Sequence, residues 1–65
     1  MAKNKRSMWK VYGKIDGTTE DTCTVISETL VEAAGLAVKI FQKNYPASEI
    51  TVEDLLKVEC LGKED

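Results

Sequence analysis

The sequence predicts an α+β domain of order ββαβ, a three-stranded antiparallel sheet in spatial order 2-1-3 with one helix packed on one face. Three observations carry this. Residues 8–15 and 22–28 follow the two-residue period of strands on either side of an Asp16-Gly17 turn signal. Residues 30–41 repeat apolar side chains at three- and four-residue spacing. Finally, Ile50, Val52, Leu56, Val58 and Cys60 share one face of an extended chain. A hairpin sets the first two strands side by side, and a right-handed crossover through the helix returns the third on the free side of the first.

The first strand, Met8 to Ile15, places Trp9, Val11 and Ile15 on one side and Lys10, Tyr12 and Lys14 on the other. Gly13 within it fits a bulge or a close approach. Asp16 and Gly17 both tolerate positive φ, and Thr18 to Asp21 form a polar tip before the chain turns back. The second strand is expected over Thr22 to Glu28, rich in β-branched residues, with Cys23 and Val25 inward and Thr24 and Ile26 outward. Thr29, followed three residues later by Glu32, is a capping box that starts the helix. Leu30, Ala33, Ala34, Ala37, Ile40 and Phe41 form its apolar face, and the three alanines let it lie close to the sheet. Asn44-Tyr45-Pro46 ends it, because proline cannot continue the hydrogen-bond ladder. The last segment, Glu49 to Leu61, reads as a strand, while Thr51 to Asp54 is also a capping signal for a short helix through Lys57. Asp54 would fall on the apolar face of an uninterrupted strand, so a bulge or kink is expected near Glu53-Asp54-Leu55.

The chain divides into a basic arm over residues 1–7, one domain over 8–61 and a charged tail over 62–65. A chain of this size buries only about 60% of the surface its unfolded form exposes. One helix covers one sheet face, leaving Met8, Tyr12, Ile26, Leu55 and Leu61 on the other among lysines, threonines and acids. That is more apolar surface than a monomer holds comfortably, so a homo-oligomer is expected, through the open face or the edge of the second or third strand.

The composition excludes much chemistry. With no histidine there is no Ser-His or Cys-His pair and no imidazole ligand. Cys23 and Cys60 lack zinc-site spacing and are too few for a disulfide framework. They read as half-buried reduced thiols, poor nucleophiles, with one disulfide open if their strands are neighbours. Asp16 to Asp21 faintly resembles a calcium loop but lacks its bidentate glutamate. Glu53 and Asp54 on a strand point to opposite faces and cannot converge on one substrate atom. Gly13 and Gly35 lie outside any glycine-rich strand-to-helix turn, so they form no phosphate loop. No catalytic residue, metal or cofactor is expected, and the protein reads as a non-enzyme. The basic start, Met1 to Arg6, is no export signal because Lys10 and Lys14 interrupt the apolar run that should follow. Leu30 to Phe41 contains Glu32 and Lys39 and is too short to span a bilayer, so a cytoplasmic protein with no membrane partner is expected.

Charge is uneven. Residues 1–14 carry five basic residues and no acid, while residues 15–65 carry four lysines and eleven acids. An isoelectric point near 5.0 argues against duplex nucleic acid as a partner. Within the basic stretch, cations interleave with Trp9 and Tyr12, as in sites where a cation meets phosphate and a ring stacks on a base. Trp9 belongs to the apolar face. Arg6, Lys10, Tyr12 and Lys14 are therefore the candidate ligand-binding residues, the alternative being a solvated sheet face or oligomer contact.

The stretch Val25-Ile26-Ser27-Glu28-Thr29-Leu30-Val31-Glu32-Ala33-Ala34, with Phe41, Tyr45-Pro46 and Ile50-Thr51-Val52 after it, resembles small phage-type ββαβ proteins. Their junction between second strand and helix ends in Thr-x-x-Glu-Ala, and the resemblance covers residues 8–61. It implies a phage-encoded accessory protein of the anti-defence kind, a group that includes oligomers sequestering nucleotide signals of host immunity and inhibitors that plug a host enzyme. The expected function is sequestration of a small anionic, nucleotide-like ligand between protomers, with Arg6, Lys10 and Lys14 at phosphate and Tyr12 stacking. The alternatives are a protein inhibitor using an edge strand or the open sheet face, and single-stranded nucleic-acid binding by the basic arm and Tyr12.

Overall fold

A computed structural model describes residues 6–63. Strands β1 (Ser7–Ile15) and β2 (Thr19–Ser27) form a hairpin, helix α1 (Leu30–Asn44) crosses one face, and a single 3-10 turn (Val52–Asp54) leads into β3 (Leu55–Lys63). β1 is central, with β2 and β3 antiparallel on either side. This is the expected ββαβ sheet of order 2-1-3.

The hairpin turns where the sequence allows positive φ. Asp16 and Gly17 have φ of 56° and 71°, and the Thr18 N–H donates to the Ile15 carbonyl at 3.1 Å. The tip is tighter than expected. β2 begins at Thr19 instead of Thr22 and ends at Ser27, because the β1–β2 register runs unbroken from Ile15 opposite Thr19 to Ser7 opposite Ser27. Continuous pairing outweighs the weak strand propensity of Glu20 and Asp21. Ser7, expected in the basic arm, opens β1; residues 1–5 of that arm lie outside the described residues.

Thr29 caps α1, its Oγ1 accepting from the Glu32 N–H at 3.1 Å. The return bond departs from the expected box. Glu32 Oε1 accepts from the Glu28 N–H at 3.3 Å, one residue before the cap. Only Ala33, Ala37 and Phe41 of the helix are buried, while Leu30 and Ile40, expected on the same face, stand on its flanks exposed. Val11, Ile15, Val25 and Ile50 complete the core, with Trp9, Cys23, Leu55 and Val58 packed against it.

Gln42 fastens the loop after the helix. Its Nε2 donates to the carbonyls of Tyr45 and Ser48, and its Oε1 accepts from the Ile50 N–H at 3.1 Å, seating Ile50 in the core. Removing these three bonds in Gln42→Ala is expected to cost about 2 kcal/mol, read as a lower urea midpoint.

The last segment corrects the sequence reading. Val52–Asp54 is a 3-10 turn and not strand: Thr51 Oγ1 accepts from the Glu53 N–H at 3.3 Å, and Asp54 Oδ2 accepts from the Thr51 N–H at 2.9 Å. Local capping prevails because an uninterrupted strand would turn the Asp54 carboxylate into the apolar face. β3 then bulges twice. Gly13 faces Leu55 and Tyr12 faces Lys57, which leaves Leu56 as an extra residue; Trp9 faces Cys60 and Met8 faces Gly62, which leaves Leu61 as another. The faces shift with the bulges. Leu55, expected on the open face, packs on the core, while Val52 and Leu56, expected inward, are 59% and 55% exposed. Gly62 and Lys63, expected in the tail, belong to β3.

Cys23 lies opposite Val11 on one side of β1, and Cys60 lies opposite Trp9 on the other. Two strand spacings, roughly 10 Å, separate them, beyond disulfide reach. Both are free thiols, and Cys60 is exposed, not half-buried.

Candidate functional site

β1 presents Met8, Lys10, Tyr12 and Lys14 on the sheet face away from α1, with Thr22, Thr24 and Ile26 beside them on β2 and Lys57 and Glu59 on β3. Register sets Tyr12 between Thr22 and Lys57, and Lys10 between Thr24 and Glu59. The ammonium groups of Lys10 and Lys57 sit 5.3 and 5.5 Å from the centroid of the Tyr12 ring, within cation-π range. The Tyr12 hydroxyl donates to Glu59 Oε1 at 3.0 Å. Two cations and one carboxylate therefore surround a single aromatic ring on an uncovered surface.

The four expected site residues do not all meet. Lys10 and Tyr12 come together, and Lys14 lies further along β1 opposite Glu20, where β3 no longer pairs. Arg6 joins a different feature, an open groove of about 520 Å³ between the end of β2 and the flank of α1. Ile26, Ser27, Glu28, Glu32, Gly35, Leu36 and Lys39 line the rest of it. Lys57 is the residue the sequence reading missed. The alternation of Val58 and Cys60 already puts Lys57 on the other face; what it does not give is the register that sets Lys57 opposite Tyr12.

The remaining polar candidates are structural. Trp9 Nε1 donates to the Ser27 carbonyl at 3.0 Å, which fixes the ring at the rim of the core. Asp16 Oδ2 accepts from Ser48 Oγ at 2.6 Å, and Asp21 Oδ2 accepts from the Tyr45 hydroxyl at 2.8 Å, tying the hairpin tip to the loop after α1. Burial, and secondarily the Asp21 carboxylate, pushes the Cys23 thiol up and keeps it protonated.

The bond to Asp21, then burial, raises the pKa of Tyr45 above that of an ordinary phenol. A group raised by folding contributes stability fully below its unfolded pKa, about 10, and loses it as pH rises through the folded value. The wild type is therefore expected to lose more stability than Tyr45→Phe as pH rises above about 10, measured as the difference in urea midpoint.

Among the described residues no helix is long and apolar enough to cross a membrane, and no group of three or more acidic or cysteine side chains is placed to hold a metal ion. No family model, curated protein or solved structure matches the chain.

Proposed function

We propose that the protein is a non-enzymatic binding module that takes up a small anionic, nucleotide-like ligand on its outer sheet face, as in the anti-defence proteins of phages. The observation that carries this reading is the pair of ammonium groups, on Lys10 and Lys57, held beside the one ring of Tyr12. Both are anchored on neighbouring strands, so two donors for phosphate oxygens stand in place before a ligand arrives. The bond to Glu59 holds the Tyr12 ring, and a base stacking on it would displace an ammonium toward the phosphate. Lys14 extends the cationic rim along β1.

Calorimetric titration with a panel of mononucleotides and cyclic dinucleotides tests this. Lys10→Ala and Lys57→Ala are each expected to weaken binding by about tenfold or more, because each removes a charge-assisted bond. Lys39→Ala, in the groove, is the control and leaves affinity unchanged. Equal affinity in all three variants would reject the outer-face site.

A second reading, inhibition of a host enzyme through the open face, draws on Met8 and Ile26, exposed cross-strand partners on that same face. It expects one stable complex in a pull-down from host lysate, abolished by Met8→Lys and retained by Lys57→Ala.

A further inference from the structure

The two edges of this sheet differ in a way that selects one of them for pairing. β3 is interrupted by two bulges, whose extra residues Leu56 and Leu61 break its regular line, and Gly62 has a φ of 127°. Bulges of this kind turn an edge away from further strands. β2 has none of these protections. All nine of its residues pair with β1 in unbroken register, and it contains no proline, glycine or lysine. Its outer row of backbone groups is a regular template for another strand.

The helix flank above that edge carries exposed Leu36 and Ile40 among charged side chains. Leu36 lines the groove together with Ile26 of β2, so this flank of α1 looks over the β2 edge, and Ile40 follows one turn along. Leu36 and Ile40 are 39% and 36% exposed. α1 makes most of its sheet contact with β2. The helix carries Glu32 in its first turn, Lys43 in its last, and Lys39 between them in the groove beside Leu36.

We propose that the β2 edge is a self-association surface whose occupant is the β2 edge of a second copy of this chain, giving a two-fold dimer with one continuous six-stranded antiparallel sheet. A two-fold axis normal to the sheet keeps both helices on the same side. Centred on Cys23, it pairs the strand over its full length, with Thr19 opposite Ser27 of the second copy and Thr22 opposite its Thr24. Glu20 and Asp21 then face Ile26 and Val25, whereas an axis at Thr24 would set Glu20 against Glu28.

Because α1 packs on β1 as well as β2, it lies over that pair of strands, and the same axis runs the two helices antiparallel about two strand spacings or roughly 10 Å apart, a distance at which helices pack. Leu36 and Ile40 of each copy meet across the axis, and Glu32 of each approaches Lys43 of the other. This complementarity of strand, exposed apolar side chains and charge under one symmetry operation is what identifies the occupant as a second copy. The outer face stays open on both subunits, so the dimer is independent of the ligand reading.

Sedimentation equilibrium on the full chain, from low to high micromolar concentration, tests the proposal. The wild type is expected at twice the 7.2 kDa of the chain. Thr22→Lys puts a charge in the middle of the β2 edge at an exposed position and is expected to raise the dimer dissociation constant by about tenfold or more. Leu36→Gln leaves β2 untouched and is expected to weaken the dimer as well, while Leu56→Lys on the β3 edge leaves it intact. Circular dichroism confirms that each variant is folded. A monomeric wild type, a dimer that survives Thr22→Lys, or a dimer lost in Leu56→Lys each overturns the proposal.

Discussion

Phe41→Ala is expected to leave the chain largely unfolded at room temperature, seen as loss of helical circular dichroism and of a cooperative urea transition. Phe41 is fully buried and is one of the two largest such side chains, the other being Val11. It reaches across from the last turns of α1 to β1, where the surface of its ring lies on Gly13. Truncating a buried phenylalanine costs about 3–5 kcal/mol in transfer and cavity terms. A domain of this length has only roughly 3–10 kcal/mol to lose, at 0.05–0.15 kcal/mol per residue. Phe41→Leu, which keeps most of the volume, is expected to remain folded at a cost near 1 kcal/mol. A Phe41→Ala chain with an unchanged urea midpoint would mean that the core is not organised around this ring.

The second large effect comes from the other side of the same contact. A Cβ added at Gly13 would stand 2.8 Å from Cε2 of Phe41, with Cζ at 3.2 Å and Cδ2 at 3.3 Å. The ring cannot withdraw freely because it is buried on every side. Gly13→Ala is therefore expected to destabilise by about 1–3 kcal/mol through overpacking, although β1 has no other need for glycine here. Because the cost lies in one contact, it should be relieved by a smaller partner: the Gly13→Ala/Phe41→Leu pair is expected to lose clearly less than the two single variants together. Strict additivity in that double-mutant cycle would place the strain elsewhere.

Both expectations rest on a residue that the sequence marked for a different reason. Gly13 reads as a bulge or close-approach position in β1; the close approach occurs there, whereas the bulge beside it belongs to β3, whose extra residue is Leu56. The identity of the approaching group could not be read, because Phe41 lies 28 positions later and reaches Gly13 only after α1 crosses the sheet. The Thr29 cap, the Asp16-Gly17 turn, and the inward placement of Val11, Ile15, Val25, Ala33 and Ala37 were all legible, because each depends on residues a few positions apart.

The candidate site was half legible for the same reason. Lys10, Tyr12 and Lys14 share a strand face through a two-residue period, which is a local property. Lys57 and Glu59 alternate with Val58 and Cys60 and so share the outer face, but which β1 residues they meet depends on the pairing of β3 with β1, which sets Lys57 opposite Tyr12 and Glu59 opposite Lys10. Arg6 continues the parity of Lys10 and Lys14, yet it lines the groove at the end of the sheet beside Glu28 and Lys39. Alternation indicates a face, but not how far apart along it two side chains will stand.

The sequence by itself determined the order of elements, the turn between the first two strands, the start and end of the helix, and the absence of imidazole chemistry, because these follow from neighbouring residues and from composition. Tertiary structure decided the register of β3, the 3-10 turn that precedes it, the separation of the two cysteines, and the meeting of Lys10, Tyr12, Lys57 and Glu59. The physical reason is that strand pairing across 40 or more residues is set by the packing of Leu55 and Val58 on the core and by the backbone bonds of β1. No local pattern in β3 specifies where its two bulges fall.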